Sequence, residues 1–337
     1  MTSADVAKAA GVSRGAVSQI LNGHGERFTP ATRKRVEEMA RALAYQPSTT
    51  AVALARGTSD VLVGIVPNAT YGSNMQSLFD VLTDDLSGAG FTLVLRFSTS
   101  SAASLDRLMA GTRPRAVLTF AALGDEERRV LADRGVPVIE PAEPLTEQNN
   151  ANRAFGILQA EYLVSRGYRR LAYAHQLDAR SNPYGGGRLE AFRDRCVELG
   201  VQPPQVLGVP IDRDAAVHEL RERVQPGVAI ACYNDDVALT LIAAGGELGW
   251  LVPGDLAVIG VDKSPLGQVL SPRLTTIAYD PVEVAHDFAG AVIAALLEGT
   301  SRCPTPLNLS VVAGETTWPA GTRTRTDEHT CRSGATT

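Results

Sequence analysis

From Val61 onward the chain alternates between two textures, and this alternation restricts its fold more than any other feature. Short runs rich in β-branched residues (VLVGIVP, FTLVLRF, RAVLTF, VPVIEP) are separated by stretches with helical apolar spacing (MQSLFDVLTDDLSGAG, SLDRLMAGT, GDEERRVLADRG). Strands spaced by whole helices do not close as hairpins. They pair in parallel, with the helices covering the sheet. A second cycle follows: AFGILQAEYLVSRG, RRLAYAH, GGRLEAFRDRCVELG, QVLGVPI, AVHELRERV, GVAIACYN, DVALTLIAAGGELG and DLAVIGVD. Two successive α/β units of similar length predict two lobes with a cleft between them. Gly185, Gly186 and Gly187 are expected to precede a helix rather than join it.

The first 46 residues read differently, as helices only. Thr2 and Asp5 form a capping-box start. Val6, Ala7 and Ala10 give an inner face, and Gly11 ends the helix in the left-handed role suited to glycine. Ser13 caps a second helix with Val17, Ile20 and Leu21 inward, ended by Asn22-Gly23. Thr29-Pro30 caps and starts a third, with Val36, Met39, Ala40 and Leu43 inward. Helices of about eight residues are marginal alone, so the third completes a small core. A helix, a tight turn with glycine and a second helix make a helix-turn-helix, whose second helix enters the major groove of DNA.

Charge agrees with that division. Residues 1–59 hold eight Lys/Arg and four Asp/Glu, a net +4 that leaves −9 for the rest of a chain whose total is −5. A basic head on an acidic body suits contact with a polyanion through the head alone. The four cysteines (Cys196, Cys232, Cys303, Cys331) show no CxxC spacing, and the five histidines are isolated, so no metal site or cofactor is expected. The start has no secretory signal pattern and no run of about 18 apolar residues occurs, so a cytoplasmic protein without membrane contact is expected. No GxSxG, GxxxxGK[ST] or GxGxxG lies between a strand and a helix, and nothing favours an enzyme.

DVAKAAGVSRGAVSQILNG followed by TPATRKRVEEMARALAYQP resembles the N-terminal signature of the lactose-repressor (LacI) family of bacterial transcription regulators, over residues 2–47. One residue is inserted in GHGERF. The resemblance implies that residues 14–22 lie in the major groove, with Arg14, Gly15 and Gln19 at the base-reading positions. Arg pairs with guanine and Gln with adenine, both bidentately. Gly15 replaces the larger polar residue often found there and permits close approach. Thr2, Ser13, Ser18, Asn22 and Arg33 are candidates for phosphate contacts, with plain capping or solvation as the open alternative. Residues 47–59 correspond to the family's hinge, which folds on DNA and inserts a leucine into the minor groove. Leu54 stands at that position, and Val52 replaces a frequent Arg. Ala51 and Ala55 are small enough for two hinges to pack together.

Beyond the hinge, SRGYRRLAYA, GGRLEAFRD, ACYNDDVALTLI, GWLVPGDLAVIGVDKSP and SPRLTTIAYDP resemble the same family's two-lobed, periplasmic-binding-protein-like effector domain, at residues 60–318. The fold class implied is an all-α head plus α/β lobes with parallel sheets. The chain would cross between lobes near 149–153, 278–281 and 312–316. Motif match places Arg188, Asn234 and Asp262 at the cleft, a set suited to a sugar or polyol. Capping of the following helices is the open alternative for Asn234 and Asp262. In the first lobe, spacing brings Ser73 and Asn74, and also Tyr71, toward the cleft. VPNATYGSNMQSLF departs from the family's D-x-x-N-P-F-F, and SVVAGETTWP from its V-x-R-x-S-T. Residues 319–337 carry no apolar period and are expected to be disordered. They also lack a leucine heptad, so a homodimer on a pseudo-palindromic operator is expected. A solute-binding protein with a vestigial head and an α/β enzyme fused to a DNA-binding head remain open alternatives here.

Overall fold

The computed structural model describes residues 1–21, 25–45, 59–68, 72–98, 101–120, 123–140, 151–177, 185–300, 305 and 307–318. Asn22, the hinge with Leu54, Tyr71 and the 319–337 tail lie outside them.

The head is three helices: α1 (Ser3–Ala10), α2 (Arg14–Leu21) and α3 (Pro30–Ala42). Thr2 and Asp5 satisfy each other's orphan amides at α1, with Thr2 N donating to Asp5 Oδ2 at 2.7 Å. Gly11 follows at φ 64, a conformation that penalises a Cβ. The Ser13 hydroxyl accepts from Ala16 N at 3.1 Å, and Thr29 caps α3 ahead of Pro30. Val6, Ala7, Ala10, Val17, Ile20, Val36 and Ala40 form one buried cluster, edged by Leu21, Phe28, Met39 and Leu43. Each fully buried valine contributes about 1.5 kcal/mol or more, so tertiary packing rather than helix propensity holds these short helices.

The first lobe is a four-stranded parallel sheet in the order β2-β1-β3-β4, from β1 (Val61–Val66), β2 (Thr92–Phe97), β3 (Ala116–Thr119) and β4 (Val138–Ile139). Helices α5 (Ala102–Thr112) and α6 (Asp125–Asp133) cover one face through Leu105, Met109 and Leu131. The other face takes α4 (Ser73–Gly88) and a helix from much later in the chain, α12 (Pro281–Ile293). Phe288, Ala289 and Val292 of α12 are buried with Leu62, Leu82 and Leu86. Phe120 stacks edge-on with Phe79 at 5.3 Å and Phe288 at 5.2 Å.

The second lobe has α7 (Ala151–Ser165), β5 (Leu171–Gln176), α8 (Gly185–Glu198), β6 (Gln205–Val209), α9 (Arg213–Arg223), β7 (Val228–Cys232), α10 (Asp235–Glu247), β8 (Leu256–Val261), α11 (Pro265–Val269), β9 (Thr275–Ala278) and β10 (Ser310–Val312). Its sheet runs β10-β9-β8-β7-β5-β6. Only β10 is antiparallel, with Val311 opposite Ile277. Helices α7 and α8 bury Phe155, Leu163, Phe192 and Cys196 on one face. Helices α9 and α10 bury Leu220, Val237 and Leu241 on the other. Residues Val228–Cys232 and Leu256–Val261 are buried throughout, as expected for strands covered on both faces.

Two expectations are corrected. Helix α8 begins at Gly185 and takes in all three glycines, because its packing on α7 outweighs their poor helix propensity. The last return to the second lobe falls before residue 307, not at 312–316. Leu307 and Leu309 already pack in the second-lobe core, and Ser310–Val312 pairs with β9. The open edge of β9 needs a partner, and the chain supplies it before Thr316 bonds Val258 at 2.8 Å. The preceding crossing runs through Tyr279 and Asp280, where the Asp280 carboxylate caps α12 by accepting from Val282 N at 2.9 Å.

Candidate DNA interface and effector cleft

Helix α2 turns Ala16, Val17 and Ile20 into the head's core. Arg14, Gly15 and Ser18 are exposed on the opposite side, and Gln19 is half-buried. A Cβ built on Gly15 would meet only Ser13 Oγ, at 3.8 Å. The fold therefore does not require glycine there. Thr2 and Ser13 are both exposed, and their hydroxyls serve as helix caps. The stem of Arg33 lies against Gly25, whose Cβ would fall 3.0 Å from Arg33 Cδ. Asn22 and Leu54 are outside the described residues. The residue that the sequence did not single out is Arg27. Its Nη2 donates to Gln19 Oε1, and its guanidinium lies 5.3 Å above the Phe28 ring.

In each lobe one strand is flanked by neighbours whose connections leave in opposite directions: β1 between β2 and β3, β5 between β6 and β7. Crevices beyond the carboxyl ends of such strands receive ligands. The loops after β7 and β8 put Asn234 and Asp262 there, and α8 brings Arg188. Arg188 is almost fully buried at 8% exposure. Its Nε donates to Asn152 Oδ1 at 3.0 Å and its Nη1 to Tyr233 O at 2.7 Å. The guanidinium also lies over the rings of Phe155 (4.5 Å) and Tyr233 (4.8 Å). Much of its donor capacity is thus spent on the protein, which fixes its direction. Asn234 behaves as a cap: Oδ1 accepts from Val237 N at 3.0 Å, and Nδ2 approaches Gln176 Oε1 at 3.5 Å.

Asp262 is half-buried and has φ 103, followed by Lys263 at φ 51. Non-glycine residues held in this region are strained and need support. Support comes from Asp262 N to Ile277 O (2.9 Å) and Lys263 N to Thr276 Oγ1 (3.2 Å). It comes also from the other lobe, where Asn74 Nδ2 donates to Asp262 O at 3.0 Å. Burial raises the Asp262 carboxyl above the usual range, opposed by the Arg188 guanidinium. Burial, with the nearby Asp262 charge, pushes the Tyr279 phenol up to about 12, against a hydrogen bond with Asn74. Ser73 opens α4, and its side chain, like Tyr71, lies outside the described part.

Beneath this cleft sits a carboxylate that motif reading passed over. Asp235 is 2% exposed and bonds Thr276 Oγ1 and Ser264 N, both at 2.6 Å. It thereby ties α10 to the loop after β8 and to β9. Burial pushes its carboxyl up to about 7, against those hydrogen bonds. Asn152, Phe155, Tyr233 and Tyr279 were also missed. For Phe155, Tyr233 and Tyr279 the signal was an aromatic residue inside the quoted segments, and Asn152 had none. Among the described residues, no group of three or more His, Cys, Asp or Glu is arranged to hold a metal, and no helix is long and apolar enough to cross a membrane.

A helix-turn-helix head joined to a two-lobed α/β body with polar residues converging on its cleft defines a DNA-binding regulator with a ligand-binding domain. The family model described as bacterial regulatory proteins, lacI family, matches residues 2–48, and that of a periplasmic binding protein-like domain matches residues 160–317. The chain thus carries a LacI-family helix-turn-helix domain followed by a periplasmic-binding-protein-like domain, and members of that family are transcriptional regulators and not enzymes. It is 26% identical over 311 residues to the transcriptional regulator GalR of Escherichia coli, covering 86% of this chain and 88% of that one. It is 28% identical over 309 residues to the transcriptional repressor PurR of Yersinia pestis, covering 86% and 88%. In fold it is similar to the Lac repressor dimer bound to operator and the anti-inducer ONPF, with TM-score 0.77 at 21% identity over 95% of this chain and 99% of that chain. It is also similar to a CelR–cellobiose complex, with TM-score 0.63 at 23% identity over 94% and 99%.

Proposed function

We propose that this regulator is a cytoplasmic repressor that binds a pseudo-palindromic operator as a homodimer and responds to a sugar or polyol in its inter-lobe cleft. The observation that carries the reading is the bond from Asn74 in the first lobe to the main chain of Asp262 in the second. A ligand that engages the Asp262 carboxylate, beside the fixed Arg188, acts where the lobes meet. It shifts their closure and so the spacing of the two hinges, a coupling of about 1–3 kcal/mol. Asp262 accepts from adjacent hydroxyls, and the Tyr279 phenol lies near it.

Support for the dimer comes from apolar surface on both lobes. The edge strand β2 exposes Val94, Leu95 and Phe97, and α11 with the residue after it exposes Leu266, Val269 and Leu270. Open edges and apolar patches of this kind are normally covered by a partner, and two copies supply two heads for two half-sites. The test is selection of bound sequences from random duplex DNA, followed by operator binding in the presence of a panel of sugars and polyols. The expected result is a two-fold symmetric motif and at least one sugar that changes operator affinity fivefold or more. Asp262→Asn should lose that response and keep operator binding. An asymmetric single half-site refutes the dimer. Operator affinity that no polyol moves, but an anionic metabolite does, refutes the effector class.

A further inference from the structure

We infer that Arg27 sets which base Gln19 reads, converting it from an adenine reader into a guanine reader. The inference rests on the placement of α2 in the major groove. A free glutamine amide turns its carbonyl oxygen and one of its two N–H groups to the N6 amino group and N7 of adenine. Guanine presents only acceptors on that edge, N7 and O6, and so calls for two donors. In this head Arg27 Nη2 donates to Gln19 Oε1, which sets a cation beside that oxygen and opposes the approach of a second amino donor such as adenine N6 to its other lone pair. What the pair shows to the groove is Gln19 Nε2 and the remaining N–H groups of the guanidinium, all donors.

Three features hold the pair in place without DNA. The turn carrying Arg27 is closed by Phe28 N donating to Gly25 O at 2.9 Å. Phe28 packs on the head's core, and the Arg27 guanidinium lies over its ring. A hydrogen bond from a charged donor is stronger than a neutral one, so releasing the Gln19 carbonyl for adenine carries a cost. Arg27 itself is exposed. Arg14, Gln19 Nε2 and Arg27 then form a donor-only strip suited to a guanine-rich half-site.

The test compares bound-sequence selections for the full-length wild type, Gln19→Ala and Arg27→Ala, with relative affinities measured on the four single-base variants of the affected position. The wild type should select guanine at one position per half-site, and Gln19→Ala should lose that preference. Arg27→Ala should move the same position from guanine to adenine, a reversal of about tenfold in relative affinity. Wild-type preference for adenine there overturns the inference. So does an Arg27→Ala protein that binds all sequences equally more weakly, because Arg27 then contacts phosphate. A motif that responds to Gln19→Ala but not to Arg27→Ala overturns the inference alone. A motif unmoved by Gln19→Ala sinks the placement of α2 as well.

Discussion

At Gly156 the backbones of α7 and α8 pack directly against each other, and replacing it with alanine should damage both stability and effector response. A Cβ at that position would lie 2.1 Å from Arg188 O and 2.8 Å from Phe192 N. Carbon–oxygen contacts normally sit at about 3.3 Å or beyond, so the helices must part by about 1 Å. Both obstacles are main-chain atoms, so no rotamer change relieves the overlap. Overpacking of this kind costs about 1–3 kcal/mol, and the upper end applies here. For a lobe of this size that corresponds to a fall in Tm of about 6–12 °C. The displaced helix carries Arg188, whose 2.7 Å bond to Tyr233 O and stacking on Phe155 depend on the same spacing. Thermal unfolding by circular dichroism, paired with operator binding with and without effector, reads both effects. A Tm within 2 °C of wild type (about half a kilocalorie) together with an intact effector response would refute the idea that this contact positions Arg188.

Two further outcomes follow from buried and exposed positions. Burial lifts the folded-state pKa of Asp235 to about 7 from a usual value of 3.8. The folded chain therefore holds an extra proton between those values, and stability falls as pH rises through that window, by up to about 1.4 kcal/mol per unit. Asp235→Asn removes the titration and should flatten urea-unfolding stability between pH 5 and pH 7 (the upper half of that window). An unchanged slope would mean another group titrates. Gly15→Ala fills open space on α2 and should stabilise that helix by about 0.5–1 kcal/mol, seen as slower amide exchange. It should also weaken specific operator binding more than non-specific binding, whereas equal affinity for operator would show that no close backbone approach occurs.

The local features of the head were legible because each depends on neighbours in sequence. Thr2 with Asp5, Gly11, Ser13 and Thr29-Pro30 announce helix ends within four residues of themselves. The alternation in the body likewise declared parallel sheets, since Val228–Cys232 and Leu256–Val261 are apolar throughout. What stayed hidden joins distant positions. Asp235 meets Ser264 and Thr276, 29 and 41 residues away, and nothing in NDDV distinguishes it from a solvated helix-start aspartate. Strand β10 is three residues long, too short to show a period, and its pairing with β9 moved the last crossing. Arg188, Asn234 and Asp262 could be placed near the cleft by motif, but how much of their hydrogen-bonding capacity the protein itself uses could not. Arg27 had a visible signal, the lengthened GHGERF turn, without any indication of what that turn would reach.

The origin of α12 has a consequence for synthesis. Residues 61–139 leave the ribosome long before residues 281–293, yet Phe288, Ala289 and Val292 close one face of their sheet. Strands β5 to β9 and their helices form an almost continuous stretch, and contacts close in sequence form soonest. The first lobe therefore lacks one face of its core until most of the chain has been made. A chain terminated between the first lobe and α12 carries a head with its own complete core on a body whose first lobe remains open. Such a fragment keeps the exposed face of α2 and loses the cleft through which, on the proposed function, a ligand acts. Nonsense mutations between the first lobe and α12 should accordingly fall into one phenotypic class, an unregulated DNA-contacting remnant, wherever the fragment survives proteolysis.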